Sequence, residues 1–253
     1  MFDRSTLISY VLILPVILLA LSIHETAHGY VASKLGDPTA KSLGRLTLNP
    51  LQHIDIFGFL CMLFFHFGWA KPVPVNARYF KNPRRGMALT SAAGPAANIL
   101  LALIFATLLR LEILVVDLFY ANDLLAVLSG ATSQISTAFN MLTVLNYILY
   151  MGVLLNISLA VFNLIPIPPF DGSRIAYVLL PQKLYFRIMK YEQYIMIAIL
   201  LLFWFVPLFS TLISGATSGL ANLILSVFGL GRGTTAGQEM NIMVAHLFYS
   251  LFV

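Results

Sequence analysis

Long apolar runs alternate along this chain with short polar connections that hold most of its charge. Runs at residues 6–33, 86–109, 139–165 and 193–213 each reach the roughly 20 residues needed to cross a bilayer as a helix, and a weaker one covers 216–230. The stretch 57–69, FGFLCMLFFHFGW, is apolar but too short to span. It is expected to dip into the membrane and return on the same side. After it, Pro72-Val73-Pro74-Val75 favours extended backbone, which proline admits only as an edge. The pattern predicts an all-α polytopic membrane protein, with about five transmembrane helices and a re-entrant and extended segment, about 50–80, between the first two.

Composition agrees with this reading. Of 253 residues 59% are apolar and 10% charged, where soluble domains carry about 25% charged residues; mean hydropathy is +0.88. The first run is too long, and lacks the small-residue cleavage site, to be a removable signal peptide, so it is expected to be retained. One cysteine, Cys61, excludes an intrachain disulfide and a cysteine metal cluster. No segment is polar or long enough for a separate soluble domain, and no internal repeat occurs.

A net charge of +5 could suggest nucleic acid, but in a polytopic chain it records topology. Lys34, Lys41, Arg45, Lys71, Arg78, Lys81, Arg84 and Arg85 fill the connection after the first run. Residues 111–138 hold no basic residue and carry Glu112, Asp117 and Asp123, so they read as an outer loop. Arg174, Lys183, Arg187 and Lys190 make the next connection basic again. The first and third connections are therefore expected in the cytoplasm, with no nucleic-acid partner.

The first run ends in LSIHETAHGY, residues 21–30, which puts His24, Glu25 and His28 where ionisable groups are costly and usually functional. Residues four apart share a helix face, so both histidines can reach one ion while Glu25 reaches a water on it. That is the content of His-Glu-x-x-His: two zinc ligands and a general base. A catalytic zinc usually has three protein ligands. Glu112, Asp117 and Asp123 are at the wrong depth, and Asp37 and Asp55 lie in the connection. Asp171 follows Pro166, Pro168 and Pro169, which break the third helix. It could be only a turn with Gly172, but its depth favours a ligand. His53, His66 and His246 are expected to make local or packing contacts.

HETAHG, then GWAKPVPVN, AAGPAAN and NLIPIPPFDG together resemble the site-2 protease family of intramembrane zinc metalloproteases. GDPTAKSLGRLTLNPLQHID resembles its compact microbial branch, without PDZ or CBS domains. The resemblance implies a metalloprotease core at 1–175 and a variable C-terminal region at 176–253. It implies one zinc per chain on His24, His28 and Asp171, with Glu25 as base. Asn98 and Asn163 would position substrate or steady the oxyanion, although Asn98 could equally be a helix-to-helix hydrogen bond. Apart from the resemblance, the edge-like proline pattern suggests that Val73 and Val75 pair with an unwound substrate strand. The substrates would be transmembrane proteins within the lipid bilayer, cut toward the cytoplasmic side of a bacterial or archaeal membrane. The rival readings are a metal-ion transporter and a non-proteolytic scaffold. No feature of the sequence specifies an oligomeric state.

Overall fold

A computed structural model of the chain describes residues 4–65, 70–128 and 135–230. Among the described residues the helices are α1 (Arg4–Lys34), α2 (Thr39–Ser42), α3 (Ile56–Phe65), α4 (Pro83–Leu128), α5 (Ile135–Asn163), α6 (Asp171–Ala176), α7 (Gln182–Met189), α8 (Glu192–Phe205) and α9 (Pro207–Val227). No named strand occurs among them; a single antiparallel bridge joins Ile54 to Ala70.

Helices α1, α4, α5 and α9 form the bundle. Its core joins Ile13 and Val16 of α1, Leu101, Phe105 and Leu109 of α4, Val153 and Ile157 of α5, and Ile224 of α9. Phe105 seats against Gly152, where a Cβ would collide with its ring. The outward face of α4 is equally apolar: Leu100, Ile104, Leu108 and Leu111 are exposed. A helix apolar on all sides belongs in lipid, and the chain is an integral membrane protein. Pro15 and Pro95 lie inside α1 and α4, as membrane helices tolerate when neighbours satisfy the freed backbone.

Four described helices are long and apolar enough to cross: Tyr10–Lys34, Pro83–Val115, Val144–Asn163 and Pro207–Val227. The span expected at 193–213 is divided. Val206 is extended (φ −117°, ψ 96°) and Pro207 begins a new helix, because proline disfavours helical backbone in the residue before it. The 14 residues of α8 reach only about 21 Å, short of the roughly 30 Å hydrocarbon core. Of the weaker span at 216–230, residues 216–227 form the second half of α9 and 228–230 follow its end.

The outer loop expected at 111–138 is also different. Helix α4 continues to Leu128 and α5 begins at Ile135. Acidic residues do not stop a helix, and Glu112 is buried with its carboxylate accepting from Asn146 Nδ2 on α5 at 2.9 Å. Of the stretch 57–69, residues 57–65 lie in α3 and 66–69 fall outside the described residues. Its flanks meet: the Lys71 N–H donates to the His53 carbonyl at 2.8 Å, beside the Ile54–Ala70 bridge.

Candidate metal centre

Helix α1 supplies His24 and His28 one turn apart, both buried. The α5–α6 connection supplies the third group. Three prolines and a cis Pro168–Pro169 bond shape it, and Asp171 opens α6. Gly172 makes this approach possible, since a Cβ there would collide with the Leu164 carbonyl oxygen and lie 2.5 Å from that of Ile165. Asp171 Oδ2 lies 3.1 Å from Nε2 of each histidine, and the two Nε2 atoms are 3.0 Å apart.

Their other ring nitrogens settle what these atoms offer. Nδ1 of His28 is 2.7 Å from the Thr90 carbonyl oxygen, which can only accept. Nδ1 of His24 is 2.5 Å from Asn98 Oδ1, also an acceptor. Both rings therefore donate from Nδ1 and turn a lone pair at Nε2 toward the carboxylate. Three acceptors this close repel one another unless something positive joins them. A metal cation does this for all three at once. Donors sharing one zinc at about 2.1 Å must lie within about 4.2 Å of each other, and these do. The donor set fits zinc.

Burial pushes the Asp171 carboxyl up, but the two histidine rings beside it outweigh this and hold it at about 2. It is a carboxylate at neutral pH. Glu25 stands beside the cluster with Oε2 accepting from the Val73 N–H at 2.8 Å. Helix α4 closes the other side: a Cβ on Gly94 would come within 2.5 Å of His28 Nε2 and 2.6 Å of His24 Nε2. Only glycine lets α4 lie so near both rings.

The other expected residues fall as follows. Asn98 is fully buried; its Nδ2 donates to Asn156 Oδ1 at 2.9 Å and points to the Ala20 carbonyl at 3.4 Å. Asn163 ends α5 with Nδ2 donating to the Leu159 carbonyl one turn back, at 2.9 Å. Val73 is buried and Val75 half-buried in the extended segment. Nε2 of His53 meets the Thr47 carbonyl at 2.8 Å, while His66 and His246 lie outside the described residues. Sequence reasoning passed over Thr90, Asn156 and the role of Gly94. A lone amide at 156 in an apolar run was the available signal.

A bundle of apolar helices that brings a His-His-Asp donor set together beside a glutamate defines a membrane-embedded metallohydrolase. The model of the family described as Peptidase family M50 matches residues 12–203, which include all four of these side chains. The chain belongs to that family, the site-2 proteases, and is an intramembrane zinc metalloprotease. It is 40% identical over 187 residues to "Putative zinc metalloprotease YwhC" of Bacillus subtilis, across 74% of this chain and 77% of that protein. It is 29% identical over 168 residues to "Putative zinc metalloprotease Rip2" of Mycolicibacterium smegmatis, across 64% of this chain and 55% of that protein. No solved structure matches.

Proposed function

We propose that His24, His28 and Asp171 hold one catalytic zinc ion and that Glu25 is the general base for cleavage of transmembrane segments. The convergence of three acceptor atoms, with both Nδ1 atoms already committed to acceptors, carries this reading. When bound, zinc supplies Lewis acidity, polarising a carbonyl and lowering the pKa of a water. Glu25 takes the proton of the attacking water and returns it to the leaving nitrogen. The Val73 N–H holds Oε2 of that carboxylate at 2.8 Å, which leaves the carboxylate's other oxygen to face the reaction.

A substrate helix hides its carbonyls in its own hydrogen bonds and must unwind before attack. The segment 71–76 is where we place the unwound strand. In extended chain, residues two apart share an edge, so Val75 presents the same edge that Val73 turns to Glu25. Among the described residues the Val75 N–H has no partner. Strand addition there would carry the substrate past the base. Asn163 stands at the end of α5, before the loop that delivers Asp171, as a further group toward substrate. The buried amide of Asn98 acts on the His24 ring.

The meeting of residues 53–54 with 70–71 supports a re-entrant path for the segment between them. We take α8 as a shorter fifth membrane element, with 1–175 as the protease core and 176–253 as the variable part. Basic connections on both sides of the core support a site toward the cytoplasm, and the compact architecture suits a bacterial or archaeal membrane.

The test is zinc per polypeptide in detergent-purified protein, with cleavage of a transmembrane reporter. Wild type should hold one zinc, Asp171→Ala much less, and Glu25→Gln should keep zinc while losing cleavage. Zinc retained in full by Asp171→Ala would overturn the ligand set. Cleavage by Glu25→Gln would overturn the base.

A further inference from the structure

We propose that Asn156 is a positioning residue for the metal centre: through Asn98 it sets which ring nitrogen of His24 faces the ion. This rests on the reading that His24 is a ligand. The argument begins at the Gly152 carbonyl, which can only accept. Asn156 Nδ2 donates to it at 2.8 Å, so Asn156 Oδ1 faces the other way, toward α4. There it accepts from Asn98 Nδ2 at 2.9 Å. Asn98 must then turn Oδ1 to His24, 2.5 Å from Nδ1. That nitrogen carries the hydrogen, and Nε2 keeps the lone pair a metal needs.

Both asparagines are fully buried. No water can repair a reversed amide, so each link dictates the next. Without Asn156, only the longer 3.4 Å approach to the Ala20 carbonyl orients Asn98. An Asn98 flipped end for end would present N–H to the ring and draw its hydrogen to Nε2, which removes a ligand. His28 has no such dependence, because the Thr90 main chain holds its Nδ1 directly at 2.7 Å. The two rings therefore differ: one is set by backbone, the other through two side chains on two helices. Outer partners of this kind commonly change metal affinity about 10–100-fold.

The experiment uses the full chain in detergent, zinc-loaded and 15N-labelled at histidine, with zinc affinity measured by chelator competition. In wild type, His24 and His28 should both be protonated at Nδ1 and bound through Nε2. In Asn156→Leu, zinc affinity should fall about 10–100-fold, with the His24 Nδ1–H signal lost and that of His28 retained. Adding Asn98→Asp to that variant should recover most of the affinity, since a carboxylate offers the ring an acceptor whichever way it turns. Unchanged affinity in Asn156→Leu would overturn the proposal. So would a loss shared by both rings that Asn98→Asp does not recover, which is what a merely structural role predicts. Should Asn156→Leu not fold, the equal-shaped pair Asn156→Thr and Asn156→Val decides. The threonine hydroxyl can donate to the carbonyl four residues back and accept from Asn98, so only the valine variant should weaken zinc; equal affinities overturn the relay. Wild type without zinc would instead mean that the ligand reading itself is wrong.

Discussion

The main-chain N–H of Val73 donates to Oε2 of Glu25 at 2.8 Å, across 48 residues of sequence. The proposed base is thus tied to the edge proposed for substrate. That edge is itself braced. Arg45 Nη2 donates to the Lys71 carbonyl at 2.8 Å and points to that of Pro72 at 3.3 Å. Asp37 Oδ2 accepts from the Asn76 N–H at 2.7 Å. Gly29 lets the segment lie on α1, since a Cβ there would be 3.0 Å from Val73 Cγ1.

Proline at 73 and at 75 should consequently do different things. Val73→Pro removes a hydrogen bond to a charged group, worth about 1.5–3 kcal/mol, and should lower kcat with zinc content unchanged. Val75→Pro removes an N–H that no described residue uses, and should raise KM while leaving kcat closer to wild type. Steady-state cleavage of a transmembrane reporter separates the two. Full activity in Val75→Pro would end the strand-addition reading.

Gly94→Ala should be more damaging than its size suggests. The added methyl would enter the space of both histidine Nε2 atoms, 2.5 and 2.6 Å away, and neither ring can retreat without leaving its Nδ1 partner. The expected result is loss of most bound zinc in a protein that still purifies as a folded monodisperse species. Zinc at wild-type level would show that α4 can withdraw from α1 without cost.

These effects mark where the sequence could be read and where it could not. His24 and His28 were legible because a helix turns residues four apart to one face, and Asp171 because proline had to end the third helix near the same depth. Asn156 carries no motif; its meaning exists only once α5 lies against α4. Glu112 looked like a loop residue because its charge suggested water, whereas it lies buried in the bundle with one carboxylate oxygen accepting from Asn146 on the next helix. Pro207 was visible, yet a run of apolar residues on both sides hid that it divides one span into α8 and α9.

Asp37 gives a pH dependence outside the metal centre. Burial pushes its carboxyl up, but the Thr39 hydroxyl and the Asn76 and Thr39 N–H groups more than reverse this and hold it below its ordinary 3.8. The folded state therefore binds a proton there less readily than the unfolded one. The stability this adds is present above 3.8 and lost as pH falls through the lower folded value. Asp37→Ala also removes the acceptor of the half-buried Thr39 and Asn76 N–H groups, and should lower the melting temperature at neutral pH. The gap between wild type and variant should stay constant above about pH 5 and narrow below 3.8. A gap independent of pH would refute the assignment.

Metal removal should be felt in stability as well as in activity. The proposed donors come from α1 and from α6, 147 residues apart for His24 and Asp171, so an ion shared by them would link two distant parts of the chain. A ligand that binds only the folded state at 100 times its Kd adds about 2.7 kcal/mol. Wild type should accordingly melt several degrees lower after chelation and recover on adding zinc, and Glu25→Gln should behave the same, since Glu25 is outside the donor set. Asp171→Ala should melt at one temperature with or without chelator. If Asp171→Ala kept the full zinc-dependent shift, the ion would be held by other groups, and the third helix would have to be separated from the metal centre.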